Sequence, residues 1–285
     1  MTQTIGNPLS WTARAVGATG AHLAETATEI GSGIDAHPPK VRVLTRDDIV
    51  FALRAGWEDM QALRADALCL VAIYPLIGLT LIAMSFQAGL IPMIVPLIAG
   101  FALLGPVASV GLYEMSRRRE AGLDVHWSDG FAVLRSPSFG AIAALALYLG
   151  VMMVLWMLLA AEIYAATLGP EPPASVAAFI GDAFTTLRGW EMIVLGAIVG
   201  GALALAVLAV SVVSFPLLVD RKVGLPVAVV TSVRVTRENP GVILGWGCIV
   251  LVALVLGALP FLLGLVIVLP VLGHATWHLY RRAVT

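Results

Sequence analysis

Six long apolar stretches dominate this chain, at about 67–86, 89–113, 139–161, 192–218, 242–258 and 260–279, and none has an Asp, Glu, Lys or Arg near its middle. Each is near the ~20 residues that a helix needs to cross ~30 Å of hydrocarbon. Composition points the same way. Charged residues make up 12% of the 285 and apolar residues 59%, with a mean hydropathy of +0.94. A soluble domain averages roughly 25% charged, so this chain lacks the polar surface to cover itself in water. The expected fold is all-α: a polytopic integral membrane protein with six transmembrane helices in three hairpins. Pro75, Pro92, Pro96, Pro106, Pro216 and Pro270 fall in these stretches, as do Gly196 and Gly200 at GxxxG spacing. In lipid these read as packing features, since neighbours can satisfy a kinked backbone and small residues let helices approach.

Basic residues set the expected orientation. Sixteen of the seventeen Lys and Arg lie in the N-terminal segment, in 114–138, in 219–241 or at the C-terminus. The 87–88 turn, the 162–191 loop and the 259–260 turn hold one, Arg188. Cytoplasmic loops carry the excess of basic residues, so both termini are expected in the cytoplasm and the protein in a bacterial inner membrane. Residues 1–40 are rich in Ala, Thr, Gly and Pro and lack the charged start and apolar core of a signal peptide. They read as a flexible cytoplasmic tail, with a short weak helix around 11–30, ahead of a membrane domain over 41–285.

A unit recurs within that domain. Thr45 followed by Asp48 marks a helix start. Ile49, Ala52, Leu53, Gly56, Met60 and Leu63 then form one apolar stripe, opposite Arg54, Glu58, Asp59 and Arg64. Such a helix lies on a membrane surface or on a partner and does not span. "WSDGFAVLRSPSFG" precedes the second hairpin and "PVAVVTSVRVTRENPG" the third in the same way. Each hairpin ends in a basic pair: Arg117–Arg118, Arg221–Lys222 and Arg281–Arg282. The expectation is a threefold internal repeat of a short in-plane cytoplasmic helix plus a hairpin, at about 45–118, 126–222 and 225–282. In the outer loop, "ASVAAFIGDAFTTLR" predicts a short helix lying flat.

Recognisable chemistry is sparse. No phosphate loop, HExxH or GxSxG motif occurs, no nucleic-acid partner is indicated, and no charge sits mid-span as in proton-coupled carriers. Cys69 and Cys248 read as small packed side chains. The sharpest feature is "VLGHATWHLYRR". His274 and His278 are four apart and share a helix face, the spacing that a metal or haem uses, with His126 as a third candidate ligand on the same side. The competing reading is an ordinary helix exit. Trp277 and Tyr280 would then be interface anchors at headgroup depth, with Arg281 and Arg282 just beyond. The basic pairs set topology or meet anionic lipid headgroups. Glu114 is placed to pair with Arg117 or Arg118. Asp220 beside Arg221, and Glu238 near Arg237, read as exposed ion pairs of small energy.

Three segments, "VRVLTRDDIVFALRAGWEDM", "FPLLVDRKVGLPVAVVTSVRVTRENPGVILGW" and "LPVLGHATWHLYRR", resemble the bacterial predicted integral membrane proteins of unknown function in domain-of-unknown-function family 2189. The resemblance runs over 41–285 and is most specific over 215–282. It implies a multi-span inner-membrane protein and no particular activity. The leading functional expectation is therefore a non-enzymatic component that packs against a larger membrane complex or organises lipid. One alternative is a transporter or channel for a small neutral or hydrophobic solute. The other is a haem- or metal-binding membrane protein, respiratory-chain associated, using the His274/His278 pair.

Overall fold

A computed structural model describes residues 39–285 apart from Ala88. The expected tail and its weak helix lie outside these residues. The described chain is helical, and its only β feature is an isolated antiparallel bridge between Val41 and Val284.

Helix α1 (Arg46–Ala62) begins where Thr45 and Asp48 predict it. The Asp48 carboxylate accepts the Thr45 N–H at 2.8 Å and its hydroxyl at 3.0 Å, satisfying groups that the first turn leaves free. Helices α2 (Arg64–Val71) and α3 (Ile73–Gln87) follow, and the apolar run Ala65–Gln87 is long enough to cross a membrane. Three more helices meet that standard: α7 (Phe139–Thr167), the pair α9 (Leu187–Ser211) and α10 (Ser214–Asp220), and α12 (Pro240–Ala258).

The other two expected spans are built differently. Over 89–113 the chain forms a 3-10 turn at Ile91–Met93, then α4 (Ile94–Leu103), α5 (Gly105–Ala108) and α6 (Val110–Glu120), broken at Leu104 and Ser109. Pro106 explains the first break, because it has no N–H for the Ala102 carbonyl and its ring crowds that carbonyl. Over 260–279 the helix α13 (Leu265–Ala283) starts only after a turn. In that turn Phe261 and Leu262 take left-handed backbone, with φ of 51° and 63°. The second half of α13 is polar and packs inside the protein rather than continuing the apolar run.

All three segments read as in-plane helices are helical. The second, Trp127–Arg135, is a 3-10 helix, and the third is α11 (Gly224–Glu238). The outer-loop helix forms as α8 (Val176–Thr185), where the Ser175 hydroxyl accepts the Ala178 N–H at 3.1 Å. Cys69 and Cys248 are not packed inside; both are exposed and free.

The densest packing in the molecule is α1 against α13. Gly56 permits it, since a Cβ there would stand 2.5 Å from the Ala275 backbone nitrogen and 2.7 Å from its Cα. The chain ends reinforce the pair. The Arg42 N–H donates to the Ala283 carbonyl at 2.9 Å and the Thr285 N–H to the Lys40 carbonyl at 3.1 Å. Buried Asn239, between α11 and α12, accepts the Leu44 N–H at 2.6 Å and donates to the Arg42 carbonyl at 3.2 Å. The core holds Trp246, Trp277, Tyr280 and Phe215, drawn from α10, α12 and α13.

Candidate functional site

α1 and α13 run antiparallel; beside their Gly56–Ala275 contact α1 presents Asp59, and α13 presents His274 and His278 on one face. Helix α6 closes the group with Ser116 and Arg119, three residues apart and therefore on one face. Asp59, Ser116 and His274 are all buried, His274 completely. The Asp59 carboxylate is the hub. Its Oδ2 accepts the Ser116 hydroxyl at 2.7 Å and lies 2.9 Å from His278 Nε2. Its Oδ1 accepts from the Arg119 guanidinium.

Proton counting fixes the tautomer of His274. Ser116 Oγ also lies 2.7 Å from His274 Nδ1. A hydroxyl has one hydrogen, and the carboxylate has none to give, so Ser116 donates to Asp59 and accepts from His274. His274 therefore carries its proton on Nδ1. No group makes a hydrogen bond of normal geometry to its Nε2.

This arrangement orders structure and does not build a nucleophile. In a serine triad the carboxylate orients the histidine and the histidine accepts the serine proton. Here the carboxylate takes the serine proton itself, and Ser116 is 1% exposed, out of reach of a substrate. Both Asp59 oxygens are already taken, by Ser116 and His278 on one side and by Arg119 on the other. Among the described residues no group of three or more His, Cys, Asp or Glu side chains is arranged to hold a metal.

The two histidines thus share a face, as their spacing predicts, but they meet at Asp59. His126 is elsewhere. It precedes the 3-10 helix, and its N–H donates to Asp129 at 2.9 Å. Trp277 and Tyr280 are not interface anchors, because both rings are inside the protein. Trp277 Nε1 donates to Glu120 at 3.0 Å and the Tyr280 hydroxyl to Asp220 at 2.6 Å. The aromatic rings that do stand outside include Trp57, Trp127, Phe131 and Trp190. Trp127, Phe131 and Leu134 line the outer face of the 3-10 helix, with Trp127 and Phe131 edge to face at 6.1 Å.

The basic pairs face inward as well as outward. Arg117 and Arg118 both pair with Glu114, at 2.7 and 2.8 Å, and Arg118 reaches Asp129 at 2.7 Å. Arg281 joins Glu120 at 3.1 Å and Asp220 at 3.3 Å. Arg282 stands 3.2 Å from buried Asp48, which also pairs with Arg42 at 2.6 Å, and lies over the Phe51 ring. Arg221 is 3.4 Å from Asp220, and Lys222 is exposed. Glu238 pairs with Arg234 at 2.6 Å rather than with its neighbour Arg237, because four residues bring side chains to one helix face and one residue does not.

Sequence reasoning missed Asp59, Ser116 and Arg119 as members of this network, and Asp48 as the buried partner of Arg42 and Arg282. Burial drives the Asp59 carboxyl up, but the hydrogen bonds that it accepts from His278 and Ser116 prevail and hold Asp59 below its ordinary value of 3.8. Asp48 is likewise held low: burial opposes it, and the Thr45 N–H and Arg42 prevail. A carboxylate whose folded pKa is depressed contributes stability that is present above its unfolded pKa and lost as pH falls through the folded one. Thermal stability in detergent is therefore expected to decline below about pH 4. Asp59→Asn should show a shallower decline, and an identical acid limb in the variant would contradict this assignment.

Residues 93–220 match the profile of a family described as "Predicted integral membrane protein (DUF2189)". That bears out the family resemblance over α4 to α10, together with membrane residence. The matched segment stops short of α11–α13, where the motifs of the resemblance are densest. It includes Ser116 and Arg119 but neither Asp59 nor the two histidines. No curated protein and no solved structure matches the chain.

Proposed function

We propose that this integral membrane protein is a non-enzymatic component of an inner membrane, presenting apolar helix faces to lipid or to a larger membrane complex. The carrying observation is how little of its spanning helices the protein itself covers. The span Leu187–Asp220 is only 6% buried along its most apolar window, and Ala65–Gln87 is 22% buried. Val194, Leu195, Ile198 and Leu205 stand exposed on α9. Gly200 is used internally, against Trp156, whereas Gly196 opens outward. Apolar surface on this scale needs lipid or a partner chain. The Asp59 network supports the reading, because it fastens α1, α6 and α13 together and leaves no site open for turnover.

Six crossings in three hairpins, with both ends cytoplasmic, remain the layout that we favour. In this layout the second and sixth crossings fall to the broken 89–113 segment and to α13, neither of which is an unbroken apolar helix of spanning length. The hydrogen bonds between residues 40–42 and 283–285 support placing the two ends on one side, and the basic-residue asymmetry supports the cytoplasmic side. Trp57, Trp127 and Phe131 take over the role of cytoplasmic interface anchors. Reporter fusions at residue 175 and at the C-terminus should report opposite sides of the membrane; the same side would end this layout.

Purification in mild detergent tests the function itself. The chain is expected to carry lipid or a stoichiometric membrane-protein partner. A stoichiometric, exchangeable polar solute would overturn the proposal in favour of transport.

A further inference from the structure

A large cavity lies away from the polar network, between α3, α4, α7, α12 and α13. It measures about 900 Å³, toward the upper end of the ~300–1,000 Å³ typical of small-molecule sites. Its wall is apolar almost throughout, and the Tyr74 hydroxyl is the one polar side-chain group on it. An apolar cavity does not hold water. A void of this size left empty would forfeit the dispersion contacts of every side chain around it.

Two features of the chain create the space. The α4–α5 break at Leu104 brings Gly105 to the wall, and Gly150 of α7 faces it. A Cβ built at either glycine meets nothing within 4 Å. The left-handed turn then folds Leu262 onto Gly78, where an added Cβ would stand 2.7 Å from Leu262 Cδ1. Two consecutive non-glycine residues in that conformation cost roughly 1–2 kcal/mol each, so the turn is held there by what it packs against.

We infer that this cavity binds a single acyl chain of a membrane lipid. The occupant follows from the surroundings. Val95, Leu147, Val255 and Leu259 belong both to the cavity wall and to the exposed apolar surface. The cavity is thus an inlet of the same surface that meets lipid, and the medium at its mouth is hydrocarbon. The inference rests on membrane residence alone, so a protein partner on the outer faces leaves it standing.

The test uses the full chain in phosphatidylcholine vesicles doped with phosphatidylcholine that carries a photoactivatable diazirine in its acyl chain. Cross-links mapped by mass spectrometry should appear at the cavity residues Leu81, Ile98 and Leu262 as well as at the outward, lipid-facing residues Ile198 and Leu251. Gly150→Leu should put a side chain into the cavity and reduce the labelling there. Gly196→Leu, which adds the same side chain in open space outside the cavity, should leave it unchanged. Labelling of the outward residues with the cavity residues blank in the wild-type chain would overturn the inference, whether or not Gly150→Leu folds. So would cavity labelling that Gly150→Leu leaves intact.

Discussion

Gly56→Ala is expected to loosen the α1–α13 pair and lower the thermal stability of the protein in detergent. The added methyl would stand 2.5 Å from the Ala275 nitrogen, 2.7 Å from its Cα and 2.7 Å from its Cβ. Two of those three atoms are backbone, so no rotamer change relieves the overlap and one helix must move. Overpacking a well-filled contact costs about 1–3 kcal/mol, and moving a whole helix places this case at or beyond the upper end. The gain in helix propensity from glycine to alanine, about 1 kcal/mol, does not offset it. Gly56→Leu should prevent α1 from docking at all. Gly245→Ala is the control. Its Cβ would meet only Ile49 Cδ1, at 3.8 Å, an ordinary contact, so its melting temperature should stay close to wild type. Equal stability of Gly56→Ala and wild type would show that the two helices do not meet at this point.

Gly56 also shows how much the sequence could tell. The stripe Ile49–Ala52–Gly56–Met60 is legible from spacing alone, and those four residues are buried. Asp48 and Asp59 are buried on the same helix, yet Asp59 reads as solvent-facing and Asp48 only as a helix start. The information was present in part. Asp48 is four residues before Ala52, and Asp59 is seven after it, so both fall on the small-residue stripe. Charge identity outweighed register, because a carboxylate is seldom buried without a partner. The partners of Asp59 come from α6 and from α13, more than fifty and more than two hundred residues away, and no local pattern announces them.

The same distance explains Trp277 and Tyr280. A ring-and-arginine run after an apolar stretch is what a membrane exit looks like locally. Whether the rings meet lipid or protein depends on Glu120 and Asp220, which α6 and α10 bring to them. The second expected span failed as one continuous helix for a local reason. Pro106 was visible and was read as a tolerated kink. With Gly105 before it, the chain instead breaks, and the break opens the wall of the apolar cavity.

Asp59→Ala is expected to be among the most damaging single substitutions in this protein. It removes the acceptor of Ser116, His278 and Arg119 together. Removing one partner of a buried ion pair costs about 3–5 kcal/mol, because the other charge is left uncompensated. Arg119 is two-fifths exposed, so water repays part of that, and about 2–4 kcal/mol is the expected loss. Glu58→Ala, next door but exposed and paired only with Arg54, should change stability by no more than about 0.5 kcal/mol. The decisive measurement is a double-mutant cycle of Asp59→Ala with Arg119→Met. Once Asp59 is gone, the guanidinium is a stranded charge, so removing it should recover stability rather than lose more. The double variant is therefore expected to be more stable than the sum of the two single losses by about 1–3 kcal/mol. Strict additivity would mean that Asp59 and Arg119 act independently. The carboxylate would then owe its burial to Ser116 and the histidines alone, and the fastening of α1 to α6 would have to come from apolar packing.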